Sequence, residues 1–165
     1  IAWTGTICTN PPMTYISLRK SRYSYEIIEK NMEFVINLTT ESMTKATDYC
    51  GVRSGRNENK ISKSGLTLSD GKIVKAPLIN ESPVNVECRV TEIKELGSHD
   101  MFIAEVVAVH VNDEYMDENN TFHLDWAKPI CYSHGKYYSM GKELGKFGYS
   151  VQKKKKKTRN RKKTT

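Results

Sequence analysis

Between Val84 and Val90 apolar and polar side chains alternate strictly. Val84, Val86, Cys88 and Val90 fall on one face, and Asn85, Glu87 and Arg89 on the other. A period of two predicts a long strand buried on one side only. "DMFIAEVVAVHV", Asp100–Val111, follows directly after Gly97, Ser98 and His99, so two long strands around a glycine-containing turn predict a hairpin. Ile1–Thr6 and Thr14–Leu18 predict two further strands, joined by "CTNPPM", where Pro11 and Pro12 forbid helix. "EFVINL", residues 33–38, is rich in β-branched and aromatic residues and predicts another strand. "PICYSHGKYYSM" predicts a strand pair turning at Gly135. Helical spacing predicts a short helix over Ser24–Lys30, with Ser24 as its N-cap and Ile27 and Ile28 facing the core. A second helix is predicted over Thr40–Tyr49, opening on the hydroxyl-rich "TTES", and Cys50–Lys60 reads as a loop. Six or more strands with only small helices between them predict a mainly β barrel rather than an α/β layer protein.

The chain has 165 residues, enough for one domain with a real core. Its net charge of +7 would suggest a nucleic-acid partner if it were spread over the fold. It is not. Nine of the 26 Lys and Arg residues lie in Gln152–Thr165, and without them 17 basic residues face 19 acidic ones, a net of −2. The expected division is therefore a folded domain over residues 1–151 and a disordered basic tail over 152–165. That tail could hold nucleic acid non-specifically or serve solubility alone. No apolar run is long enough for a membrane helix, and no signal-peptide pattern is present. Cys8, Cys50, Cys88 and Cys131 show no metal-ligand spacing, so reduced thiols and a cytoplasmic location are the expectation. The chain opens inside a predicted strand, which suggests that a preceding segment belongs to the fold.

Four stretches carry candidate chemistry. In "RKSRYSYE" the cations Arg19, Lys20 and Arg22 precede a helix start at Ser24. A helix N-terminus offers unpaired N–H groups and partial positive charge, so a phosphate fits there as well as a simple cap does. "CGVRSGRNENK" adds Gly51, Gly55, Arg53, Ser54, Arg56 and Lys60, which suit a phosphate or an ordinary basic loop. "WTGTICT" sets Trp3 beside small residues on a strand, an arrangement suited to a flat heteroaromatic ring or to a core tryptophan. "GSHD" puts His99 at a hairpin tip, where an imidazole can meet an anion or exchange a proton, or stand solvated. His134 is a similar candidate, whereas His110 and His123 look structural or exposed. No Ser-His-Asp ordering or carboxylate pair supports hydrolysis.

Taken together, "IAWTGTICTNPPM", "ISLRKSRYSYEIIEKNMEFVINL", "ATDYCGVRSGRNENK", "APLINESPVNVECRV", "GSHDMFIAEVVAVHV" and "YSHGKYYSMGKELGKFG" resemble the flavin reductase-like family, the FMN-binding split β-barrel, and its flavoredoxin branch above all. The resemblance covers Ile1 to about Ser150. It implies a Greek-key split barrel, a homodimer, and FMN as the cofactor of an oxidoreductase. Electrons would come from NADH, NADPH or a protein donor and pass to an acceptor that can itself be a redox protein. By the resemblance, Trp3, Thr4, Thr6, Cys8 and Thr9 border the flavin ring. Arg22, Ser24 and Tyr25 hold the phosphate end, and Ser54 and Lys60 add contacts there or to the ribityl chain. His99 lies near the flavin or nicotinamide and is the candidate catalytic residue. Tyr132, His134 and Phe147 lie near the ring edge or the dimer partner. The alternatives are a split-barrel binding protein without redox activity, and a nucleic-acid binder acting through the tail.

Overall fold

The computed structural model describes Ile1 and residues 3–152. Apart from Gln152, the basic tail lies outside the described residues. Five antiparallel strands form the main sheet, in the order β1-β2-β7-β6-β3. They are β1 (Thr4–Thr9), β2 (Pro12–Leu18), β3 (Glu33–Asn37), β6 (Val84–Glu95) and β7 (Asp100–Val111). β1 and β3 are not hydrogen-bonded to each other, so the sheet curves but stays open, as a split barrel does. Two small two-stranded sheets add β4 (Leu68–Ser69) with β5 (Leu78–Ile79), and β8 (Ile130–Ser133) with β9 (Lys136–Ser139). The helices are α1 (Tyr23–Asn31), α2 (Thr44–Val52) and α3 (Lys60–Ser64). Among the described residues no helix is long and apolar enough to cross a membrane.

β1 starts three residues later than expected and runs to Thr9, with an irregular register at Ile7 between Thr6 and Cys8. Pro12 opens β2 opposite Thr9, a position where a missing N–H is tolerated. The β6–β7 connection spans four residues, since Glu95 already pairs with Asp100. The β8–β9 hairpin turns on His134 and Gly135, with φ of 49° and 77°. Two adjacent left-handed residues match the twist of a tight hairpin.

α1 differs from expectation in its cap and its face. Arg22 is the N-cap and makes no side-chain cap hydrogen bond, while Ser24 lies inside the first turn. The buried stripe is Tyr25 and Ile28, three residues apart, and Ile27 is 44% exposed. α2 begins at Thr44 because Thr40 is held in an isolated bridge with Pro129, and its hydroxyl bonds Ser42 rather than capping a helix. It continues to Val52. The unexpected α3 is capped by Asn59, whose Oδ1 accepts from Ser62 N–H at 3.1 Å, and ends at Gly65 with φ 73°.

β6 is not a one-sided strand. Glu87 is 0% exposed because residues 71–76 cover it, and Asn85, which donates to the Ile79 carbonyl, is 6% exposed. The Glu87 carboxylate accepts from the N–H groups of Lys72, Ile73 and Val74 at 2.7–2.8 Å, and from His110. Burial opposes the charge, but these donors outweigh it and hold the Glu87 pKa down to about 2. Glu33 continues the clamp by accepting from Lys75 and Ala76 N–H. A Cβ at Gly71 would stand 2.6 Å from the Val74 carbonyl, so the loop can pack this tightly only with glycine there.

Candidate functional site

Thr4, Thr6, Thr14, Ile16, Phe34, Ile36, Val86, Cys88, Ala104 and Val106 share the concave face of the sheet through the strand registers. One half is filled. Tyr25 and Ile28 of α1 pack there with Phe34, Val90 and Phe102. Among the described residues no helix covers the other half. It forms a cleft of about 410 Å³ between Thr4, Thr6, Cys8, Thr9, Thr14, Ile36, Leu38, Val86 and Val106. Four residues expected to border the flavin ring, Thr4, Thr6, Cys8 and Thr9, therefore line one cleft. β1 is also an edge strand, and among the described residues its outward N–H and C=O groups have no sheet partner.

Trp3 stands at the entry to β1, its carbonyl accepting from Ser17 N–H at 2.9 Å. The residue is 58% exposed, and its ring stacks on His99 at 4.7 Å and 28°. Arg19 Nε donates to His99 Nε2 at 3.3 Å, and His99 Nδ1 lies 3.0 Å from Ser98 Oγ. Trp3 and His99, 96 positions apart in sequence, thus form one platform because the β6–β7 turn lies beside the start of β1.

The expected phosphate residues sit at the start of α1. The N–H groups of Tyr23 and Ser24 precede the first helical hydrogen bond and receive no side-chain cap. The loop after α2 folds onto this turn: Arg56 lies 4.8 Å above the Tyr23 ring and pairs with Glu26, and a Cβ at Gly55 would meet Tyr23 at 3.2 Å. Lys60 Nζ donates to the Cys50 carbonyl at 2.7 Å. The same Cβ at Gly55 would lie 3.9 Å from Lys60 Cε, so Lys60 stands beside the turn that Arg22 caps. Arg22, Ser24, Ser54 and Lys60 therefore belong to one region. An uncapped helix start with two converging cations suits a phosphate monoester.

Tyr25 is turned into the core. Its ring is buried, its hydroxyl donates to Asp100 Oδ2 at 2.7 Å, and its N–H is used by the Arg22 carbonyl. It has no donor left for a ligand. The hydrogen bond to Asp100, reinforced by burial, pushes its pKa up to about 12. Asp100 is held below the usual carboxylate range by Tyr25 against the opposing effect of burial, helped by Leu96 N–H and Lys20. Tyr132 and His134 lie on the exposed β8–β9 hairpin, which is tied to α2 by Tyr137 donating to Asp48. Phe147 is fully exposed on the extended C-terminal strap. Met13 and Thr14, which also line the cleft, carry no local signal in the sequence, since their place there depends on pairing between strands.

A family model for the flavin reductase like domain matches residues 1–141. In structure the chain is similar to the flavoredoxin of Desulfovibrio vulgaris (Miyazaki F), with a TM-score of 0.84 and 30% identity, over 92% of this chain and 82% of that one. In sequence it is 35% identical to an uncharacterized protein of Archaeoglobus fulgidus over 70% of this chain and 65% of that protein. It is 24% identical to the FMN reductase (NADH) RutF 2 of Rhizobium rhizogenes over 66% of this chain and 60% of the relative. The chain thus spans less than two thirds of the length of these two curated relatives. The family match takes in both long strands, α1 and the uncapped helix start, and the chain belongs to the flavin reductase-like family, with a flavoredoxin-like split barrel.

Proposed function

We infer that this chain binds FMN and works as an oxidoreductase of the flavoredoxin and flavin reductase type, with a nicotinamide dinucleotide as donor. The observation that carries the reading is the juxtaposition of a phosphate-suited helix start with an aromatic platform and an apolar cleft. Arg22, Lys60 and the N–H groups of Tyr23 and Ser24 would hold the phosphate, with the Ser24 and Ser54 hydroxyls beside them. Trp3 would flank the ring, and the free backbone edge of β1 offers in-plane partners to its polar rim. The apolar walls Ile36, Val86 and Val106 would keep water from one side. FMN, when bound, supplies hydride and single-electron transfer. The protein's part is orientation, electrostatics and solvent access.

A homodimer is part of the same reading. The open half of the sheet is apolar, and Met140, Leu144, Phe147 and Val151 are 62–108% exposed on the C-terminal strap. Such surface favours cover by a second copy.

The test is direct. Purified full-length protein should keep a yellow flavin band through gel filtration, with light scattering reporting a dimer. Arg22→Ala should weaken FMN binding by roughly tenfold or more, and Ser24→Ala by less. Because Ser24 does not cap α1, its loss should leave the melting temperature nearly unchanged. No flavin uptake, or unaltered affinity in both variants, would overturn the reading.

A further inference from the structure

Seven cations surround the start of α1 and the loop after α2. Lys20 pairs with Glu95 and Asp100, Arg53 and Lys63 with Glu58, and Arg56 with Glu26. Arg19, Arg22 and Lys60 have no carboxylate partner among the described residues. The flavin reading uses Arg22 and Lys60, beside the first turn of α1. Arg19 is left over, on the His99 side of the N-terminal segment.

Arg19 is also held in place. Its Nε donates to His99 Nε2 at 3.3 Å. A guanidinium has no acceptor, so His99 Nε2 must present its lone pair, and in a neutral ring the proton then sits on Nδ1, facing Ser98 Oγ at 3.0 Å. The same ring stacks on Trp3. The imidazole is thus engaged on both nitrogens and one face, and its Nε2 is occupied as an acceptor. The two terminal nitrogens of Arg19 make no hydrogen bond within the described residues and stay exposed. Such a planar fork suits phosphate oxygens, and a side chain fixed before binding loses less entropy on binding.

We propose that Arg19 is a specificity-determining residue whose terminal N–H groups receive a phosphate of the dinucleotide hydride donor on the Trp3 side of the flavin, and that His99 is a positioning residue that aims Arg19. This rests on the FMN reading above. It assigns His99 a holding role instead of the proton-exchanging one that its place at a hairpin tip suggested.

The experiment uses the full chain loaded with FMN and NAD⁺ as a probe that does not react with oxidised flavin, titrated by calorimetry at several salt concentrations. Arg19→Gln should weaken NAD⁺ binding about tenfold and flatten its salt dependence, with FMN affinity within about twofold of wild type. Arg19→Lys should recover only part of the loss, because an ammonium keeps the charge without the fork. His99→Ala should raise the KM for NADH severalfold while leaving the shape of the pH profile unchanged. Long-range ¹H–¹⁵N spectra should find His99 in the Nδ1–H tautomer in wild type and shifted in Arg19→Gln. The proposal is overturned if Arg19→Gln leaves NAD⁺ affinity unchanged, or if wild type binds no NAD⁺. It is also overturned if Arg19→Gln loosens FMN as much as Arg22→Ala does, which would assign Arg19 to the flavin phosphate. Each of these outcomes occurs with FMN in place. A wild-type protein that retains no FMN fails at the earlier step and takes both readings down together.

Discussion

The two halves of the concave sheet face are built from the same strands and have opposite fates. Under α1, Phe34, Cys88, Val90 and Phe102 meet Tyr25 and Ile28, and the surface is closed. A few residues along the same strands, Ile36, Val86 and Val106 meet no helix, and a cleft remains. Sequence composition does not separate them, since both halves are lined with β-branched and aliphatic residues. What separates them is whether a connection places a helix across the strands. α1 bridges β2 and β3 and lies over one end only. Stability therefore resides in one half, and the room for a ligand lies in the other.

The sharpest way to break this comparison is to empty each half in turn. Phe102→Ala, at a site 0% exposed and in edge contact with Tyr25, should cost about 3–5 kcal/mol in urea unfolding. Val106→Ala, beside the cleft, should cost no more than about 1 kcal/mol in the monomer. If its cost grows with protein concentration, a second copy covers the open half.

The next effect comes from behind the sheet, where Glu87 clamps the loop that backs β6. Glu87→Gln should cost about 2–3 kcal/mol, since charge-assisted bonds from three backbone N–H groups and His110 are weakened. Its folded pKa of about 2 lies below the ordinary 4.5. Its stabilisation is therefore complete above pH 4.5 and is lost as the pH falls from 4.5 towards 2. Unfolding free energy should drop across that window in wild type and drop less in Glu87→Gln. Part of the fall should persist, because Asp117, held down to about 2 by His123 and by Thr121 and Asn119 N–H against the effect of burial, titrates in the same range. The smallest expected effect is Ile27→Ala. This exposed α1 position should shift stability by at most about 0.5 kcal/mol, whereas Ile28→Ala on the buried stripe should cost about 2 kcal/mol or more.

Much of the sheet was legible in the chain. Alternation marked β6, the Gly97 turn marked its pairing with β7, and Gly135 marked the β8–β9 hairpin. Helix starts were less legible. Hydroxyls at Thr40 and Ser24 look like caps locally, yet Thr40 is drawn into a bridge with Pro129, and Ser24 lies within the first turn of a helix whose cap is Arg22. Local capping signals lose to tertiary pairing when the two compete. Glu87 was read as facing water because period two says only which residues share a face. Whether a loop covers that face depends on residues 71–76 and on the tight approach at Gly71.

The site divides in the same way. Small residues after Trp3 and cations before α1 were visible as chemistry suited to a ring and a phosphate. The pairing of Trp3 with His99, the support of Arg19 by the same imidazole, and the withdrawal of Tyr25 into the core were not. Sequence by itself determined the strand periodicity, the small helices and the stock of cations and aromatics, because these follow from local spacing. Only the tertiary structure decided which end of the sheet α1 closes, which cations keep a carboxylate partner, and which stand free beside the cleft. Those outcomes depend on contacts between residues as many as 96 positions apart, whose geometry exists only after the strands have registered.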